Sequence, residues 1–231
     1  MTARQNARIV IHIFNFGWVT LMTDKQIMDM LVNAVKSFYL KESRFITDRV
    51  CERAIVGRIV LYLSRNAKKW GLEVFTEFNK SYQEGDGQAR AKTLDSEIQQ
   101  RTTNYPDILV LRCSEDMKPC DNILVVETKY YDNARANNLT DDIFKLSNFT
   151  KELSENDTRQ CYYSYPIGGH LFFDEDIFVI LWYKNGMPFK EVIYKKNGNR
   201  FERTQTTFRE TDYEYDLRQQ KLVCTIHFRE T

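Results

Sequence analysis

Residues 105–129 constrain the fold more tightly than any other stretch of the chain. Tyr-Pro-Asp-Ile-Leu-Val-Leu is followed by eleven polar-rich positions, 112–122, and then by Ile-Leu-Val-Val-Glu-Thr-Lys. Each aliphatic run has the length of a strand, and the polar segment reads as the loop between them. Asp107 opens the first run, and Glu127 and Lys129 close the second. Side chains alternate faces along a strand, so Glu127 and Lys129 project from one face, shared with Ile123 and Val125. An acid and an amine therefore stand at the end of an otherwise apolar surface. Buried charges are costly unless they are paired or hold a metal. Pairing of the two runs as an antiparallel hairpin brings Asp107 toward Glu127.

Composition sets the bounds. A chain of 231 residues, 42% hydrophobic and 28% charged, can fill the core of one large domain, or of one domain with additions. The formal net charge of +1 excludes a histone-like basic binder. Positive charge is concentrated locally: residues 41–70 carry eight Lys or Arg against three acids, and 184–203 carry six against two. Such runs read as a solvated helix face and a solvated hairpin. The five cysteines (Cys51, Cys113, Cys120, Cys161, Cys224) are scattered without zinc spacing, which indicates reduced thiols and a cytoplasmic setting. His12, His170 and His227 stand alone and read as ordinary sheet residues. No G-x-S-x-G and no P-loop occurs.

In chain order, residues 9–22 are apolar but too short and interrupted to span a bilayer, and read either as a strand or as an upstream extension before Met22. Thr23 and Gln26 form a capping-box signal for a helix over 24–42, with Ile27, Leu31, Ala34, Val35 and Phe38 inward. A second helix is predicted over 47–67, with Ile55, Val56, Ile59 and Leu63 buried and Glu52 at the edge of that stripe; Gly71 ends the element. Residues 72–79 alternate like a strand, with Phe75 and Glu77 on one face, and 80–103 reads as a long functional loop. Thr140 is a candidate N-cap, Leu139 a staple to Phe144, and Ile143, Leu146, Thr150 and Leu153 an inward stripe with Lys145 beside it. Ile177–Tyr183 reads as a strand buried on both faces, Asn185-Gly186 as a hairpin turn, and 222–228 as a further strand. This order of elements describes a mixed sheet with helices on both faces.

Carboxylates converging at strand ends are hard oxygen ligands suited to Mg²⁺ or Mn²⁺. A lysine two positions from one of them can orient or deprotonate an attacking water and offset charge developing on phosphorus. Phosphodiester hydrolysis needs that combination, with Asp107 and Glu127 as metal ligands, Glu52 assisting from the helix, and Lys129 on the water. Glu77 and Lys145 are auxiliary candidates.

Pro106-Asp107 followed by Glu127-Thr128-Lys129 resembles the PD-(D/E)xK signature of the restriction-endonuclease-like nuclease superfamily. Helical Glu52, the strand ending in Glu77-Phe-Asn, and Asp142-x-x-Lys145-Leu146 in the following helix fall in the order that resemblance expects. It covers roughly residues 45–185 and leaves the two ends of the chain unaccounted for. It implies a three-layer α/β/α sandwich around a mixed sheet, divalent-metal dependence and cleavage of nucleic acid. On this reading residues 1–44 form an N-terminal extension and a helix packing on the core, and 45–231 a nuclease-like domain with C-terminal hairpin additions. The implied partner is nucleic acid, DNA in the first place, with no membrane; a homodimer and a companion recognition protein stay open.

Each residue also has a structural counterpart to its functional reading. Glu127 and Lys129 can form a cross-strand ion pair, Asp107 can cap a turn, and Glu52 can pair with Arg49 or Arg53. Tyr130 and Tyr131 can stack on bases or simply pack. Two other functions compete with nuclease: a nuclease-like domain that binds nucleic acid or a protein without cutting, and a carboxylate-pair glycosidase, which gives Lys129 no role.

Overall fold

The computed structural model describes residues 22–76, 80–82, 89–91, 93–94, 102–103, 106–113, 119–131, 139–151, 164–207, 214–216 and 221–223. Helix α1, Asp24–Glu42, starts at the capping box. Thr23 Oγ1 accepts from the amide of Gln26 at 3.3 Å, and Gln26 Oε1 accepts from the amide of Thr23 at 2.8 Å. Two donors that the first helical turn cannot pair internally are thereby satisfied. The five residues expected to face inward are buried, joined by Met30, Val32 and Tyr39. Fully burying side chains of this kind contributes roughly 1.5–3 kcal/mol each, which makes packing rather than helix propensity the main stabilisation of α1.

The helix expected over 47–67 is broken at its start. Arg44–Thr47 forms a separate turn, α2, and Arg49 takes a left-handed backbone with φ 52°. Helix α3, Glu52–Ala67, therefore begins at Glu52, with Cys51 as an N-cap that makes no side-chain hydrogen bond. The four residues expected to face inward are buried, joined by Tyr62 and Ala67. A 3₁₀ turn, Lys68–Trp70, follows, and Gly71 terminates it with φ 65°, a conformation that glycine adopts without steric cost.

Seven strands form one sheet in chain order: β1 Glu73–Thr76, β2 Ile108–Cys113, β3 Pro119–Tyr130, β4 Ile167–Phe173, β5 Ile177–Lys184, β6 Met187–Asn197 and β7 Arg200–Thr207. Every neighbouring pair is antiparallel except β3 and β4, which are parallel. A parallel pair needs a crossover, and helix α4, Leu139–Thr150, lies between these two strands in sequence. Asn185 and Gly186 both have positive φ, 54° and 81°, and make the tight turn from β5 to β6 that their sequence predicts.

Much of the polar segment 112–122 is strand rather than loop, because β2 runs to Cys113 and β3 starts at Pro119. The ladder slips there: Val110 faces Leu124 while Leu111 faces Asn122, so Ile123 is bulged. The extra residue shifts the alternation, and Ile123 packs with Leu124 and Val126 rather than sharing a face with Val125.

Two apolar cores lie on the two sides of the sheet. One joins α1 and α3 to Ile108, Val110, Leu124 and Val126; the other joins Leu146 and Phe149 of α4 to Leu109, Leu111, Val125, Phe172 and Leu181. The chain is thus an α/β protein with a mixed sheet and helices on both faces, and α1 belongs to that core. Adjacent glycines in β4 admit the helices from opposite sides. A Cβ on Gly168 would lie 2.8 Å from Thr150 Cγ2 of α4, and one on Gly169 3.4 Å from Leu31 Cδ2 of α1. We expect Gly168→Ala to cost about 2 kcal/mol in chemical denaturation through overpacking, since Tyr183 Cβ closes the other side at 3.2 Å.

Helix α4 is rotated from the phase its sequence suggests. The buried residues are Asp142, Leu146, Phe149 and Thr150, with Ile143 only partly covered and Phe144, the expected staple, 44% exposed. Docking of Leu146 and Thr150 over Gly168 fixes that phase and swings Asp142 inward. In 80–103, read as one loop, two short strand pairs occur, Lys80–Tyr82 with Ala89–Ala91 and Thr93–Leu94 with Thr102–Thr103. Where a strand was expected over 222–228, Lys221–Val223 pairs with Glu214–Asp216. Residues 1–21, Glu77 and Leu153 lie outside the described residues. Among those described, no helix is long and apolar enough to cross a membrane.

Candidate functional site

The site forms where β3 outruns β2. Pairing between the two strands stops at Ile108 and Val126, whereas β3 continues beside β4 as far as Tyr130. Backbone amides on the abandoned edge of β3 need acceptors. Carboxylates supply them. Asp107 Oδ2, from the mouth of β2, accepts from Thr128 N at 2.7 Å and Thr128 Oγ1 at 2.8 Å. Glu52 Oε1, from the first residue of α3, accepts from Tyr130 N at 3.2 Å. Two acids far apart in sequence are thereby fixed to one strand end. Tyr130 anchors the corner: its hydroxyl donates to Val50 O at 2.6 Å and its ring meets Phe173 edge-on at 4.6 Å. Its ring is buried in this corner.

Glu127 and Lys129 share the side of the sheet covered by α4. Lys129 Nζ lies 3.4 Å from Asp142 Oδ2 and 4.0 Å from Glu52 Oε2. Lys145 Nζ, one turn along α4 from Asp142, donates to Asp142 Oδ1 at 3.2 Å and lies 3.6 Å from Glu127 Oε1. Asp142 thus sits between two ammonium groups, one on each carboxylate oxygen. His170, opposite Glu127 in the parallel register, places Nε2 3.7 Å from Asp142 Oδ2. Of the expected site residues, the structure brings together Asp107, Glu127, Lys129, Glu52 and Lys145.

Burial governs the electrostatics. It raises the carboxyl of Glu127 well above the usual range, and the charge of Asp107 adds to that. Burial also raises Asp107, against the lowering effect of the two hydrogen bonds from Thr128. Lys129 is raised despite burial, by Asp142, Glu52 and Asp107; Lys145 likewise, by Glu127 and Asp142. Both amines are therefore held as ammonium. His170, fully enclosed, is pushed down to about 4 by burial and is neutral at pH 7. Four carboxyl groups, of Asp107, Glu127, Asp142 and Glu52, thus meet the two ammonium groups at one strand end.

A divalent cation would match that charge. Glu127 Oε1 is buried and makes no hydrogen bond, with Lys145 Nζ 3.6 Å away and the Asp107 carboxylate beside it, and two such carboxylates fit a hard cation. Among the described residues no group of three His, Cys, Asp or Glu is placed to hold a metal alone. Glu52, expected as a third ligand, is turned to the Tyr130 amide and toward Lys129. Mg²⁺ commonly takes one or two carboxylates and completes its shell with water and substrate phosphate, so Asp107 and Glu127 suffice in kind.

Three participants escaped the sequence reading of the site. Thr128 was passed over as the variable position of Glu-x-Lys, although it is the donor that holds Asp107. Asp142 enters the sequence reading as part of Asp142-x-x-Lys145 but with no site role, yet its spacing of three from Lys145 puts both on one helix face. His170 was read as an ordinary sheet residue; its signal was a polar side chain inside a strand whose every other residue is buried. Comparison of the chain with family models, with curated proteins and with solved structures finds no match.

Proposed function

We propose that this protein is a divalent-metal-dependent phosphodiesterase acting on nucleic acid, DNA in the first instance, with Asp107 and Glu127 holding Mg²⁺ or Mn²⁺. One observation carries the reading: a buried oxygen on Glu127 that makes no hydrogen bond stands beside a second carboxylate, with two ammonium groups at the rim. The bound cation would polarise a phosphoryl oxygen and acidify a water. The protein's own part is electrostatic. Lys129, 26% exposed and held charged, can donate to the attacking water or to a non-bridging phosphate oxygen and offset charge in the transition state. Lys145 offers a second ammonium from α4. Glu52 and Asp142 hold Lys129 from two sides, which fixes the amine before substrate arrives. The restriction-endonuclease-like form of the α/β architecture belongs to the same proposal; parallel β3 and β4 joined through α4, with acids at the end of β3, support it.

The absence of a three-residue ligand group among the described residues favours a second reading, a domain that binds nucleic acid without cutting. One experiment separates the two. Supercoiled plasmid, single-stranded DNA and RNA are incubated with stoichiometric protein in Mg²⁺, in Mn²⁺ and in EDTA. Cleavage of at least one substrate, abolished by EDTA, is expected. Intact substrates throughout, with salt-dependent binding, overturn the enzymatic reading in favour of the binding domain.

A further inference from the structure

Three buried polar side chains of the site have atoms with no hydrogen-bond partner: Glu127 Oε1, Asp142 Oδ2, and both ring nitrogens of His170. Such atoms are uncommon in folded proteins and call for a reason. His170 is the least expected of the three. It is fully buried in β4, its ring 4.2 Å from that of Phe172, in a strand where an aliphatic residue would satisfy packing at no polar cost. Its Nε2 lies 3.7 Å from Oδ2 of Asp142, the carboxylate that touches both amines of the site.

We propose that His170 is a positioning residue for the phosphodiesterase site: through Nε2 it fixes the Asp142 carboxylate, which in turn sets the separation and direction of the Lys129 and Lys145 ammonium groups. The inference rests on the phosphodiesterase reading and adds a layer to it. A carboxylate shared by two lysines can rotate to favour either one. A donor on its Oδ2 side removes that freedom, as outer partners do for metal-ligating and catalytic groups generally. Substrate phosphate would draw both amines outward and shift Asp142 with them. Hydrogen bonds around reacting groups are often long before substrate binds and shorten afterwards, so 3.7 Å is a resting distance. Nothing in this role requires His170 to touch substrate.

The test combines kinetics with a probe that does not depend on turnover. His170→Leu removes the donor, and His170→Asn restores one. In single-turnover and steady-state cleavage, His170→Leu is expected to lower kcat about 10- to 100-fold with KM within about twofold. Its melting temperature should be unchanged or higher, since a buried polar ring whose contact with Asp142 is as long as 3.7 Å has been replaced by an apolar side chain. His170→Asn is expected to recover most of kcat. Imidazole ¹⁵N spectra, assigned by the resonances missing in His170→Leu, should show the proton on Nε2 and a shift in Asp142→Asn. Full activity in His170→Leu, or a loss of activity that merely follows a loss of melting temperature, overturns the proposal. So does a His170 resonance indifferent to Asp142→Asn, and that result decides the contact even if the wild-type protein cleaves nothing, the outcome that would fail the phosphodiesterase reading itself.

Discussion

Lys129→Ala is expected to reduce metal-dependent cleavage about a thousandfold while the protein still folds and still binds a divalent cation. Preorganised charge aimed at the reacting centre is worth most where water is excluded, and this amine is held between Asp142 at 3.4 Å and Glu52 at 4.0 Å before any substrate arrives. Its charge is secure, because those carboxylates outweigh the effect of burial and raise its pKa. A raised pKa also argues against the alternative explanation, that alanine removes a general base. If Lys129 took the proton from water, activity would grow as pH approached the titration of a lowered amine; an ammonium that orients and neutralises gives no such limb near neutrality. Arginine should not rescue the loss, since a planar fork cannot occupy a site shaped for a point charge. Single-turnover cleavage in saturating Mg²⁺, with a circular-dichroism melt of the same preparation, makes the comparison. A rate within tenfold of wild type, in a folded variant, would remove Lys129 from the reaction.

What could be read from the residues, and what could not, follows the range of the interactions involved. The capping box at Thr23 and Gln26, the turn at Asn185-Gly186 and the end of the helix at Gly71 are local, and the structure has them where the sequence places them. The strand end that carries Glu127 and Lys129 was legible because alternation along a strand is also local. The failures are questions of register and phase. Ile123 fell on the wrong side because a bulge inserts one residue, and no residue type marks that insertion. Asp142 was left out of the inward stripe because helical periodicity gives spacing but not rotation; Gly168, by admitting Leu146 and Thr150 closely, sets the rotation from a distant strand. Glu52 was foreseen as a helical acid near the site, but not as the first residue of its helix, a consequence of the left-handed Arg49. His170 could be placed only by the parallel register of β3 and β4, which is a long-range fact.

Glu127→Gln is expected to do two opposite things: abolish cleavage, and make the metal-free protein more stable than wild type. The carboxyl of Glu127 is raised by burial and by the charge of Asp107, so folding disfavours its ionised form. The sign follows from linkage. Well below the unfolded-state pKa the carboxyl is protonated in both states and costs nothing. As pH rises through that value the unfolded chain ionises first, and stability is lost until the folded-state pKa is passed. Glutamine never ionises, keeps the size and shape, and escapes that loss. The gain at pH 7.5 should be roughly 1–3 kcal/mol, the usual range for relieving a buried polar group. The loss of the Lys145 contact at 3.6 Å offsets part of it, because that amine is also partly in water. A divalent cation reverses the order. Binding only the folded state at a hundred times its dissociation constant stabilises wild type by about 2.7 kcal/mol, and the glutamine variant, with a weaker ligand at the same place, by much less. Urea unfolding of both proteins in EDTA and in Ca²⁺, a hard cation that takes oxygen ligands, reads the crossover directly. If wild type is the more stable protein in EDTA and the cation changes neither midpoint, Glu127 is an ordinary ion-pair partner of Lys145, and the candidate metal site is lost with it.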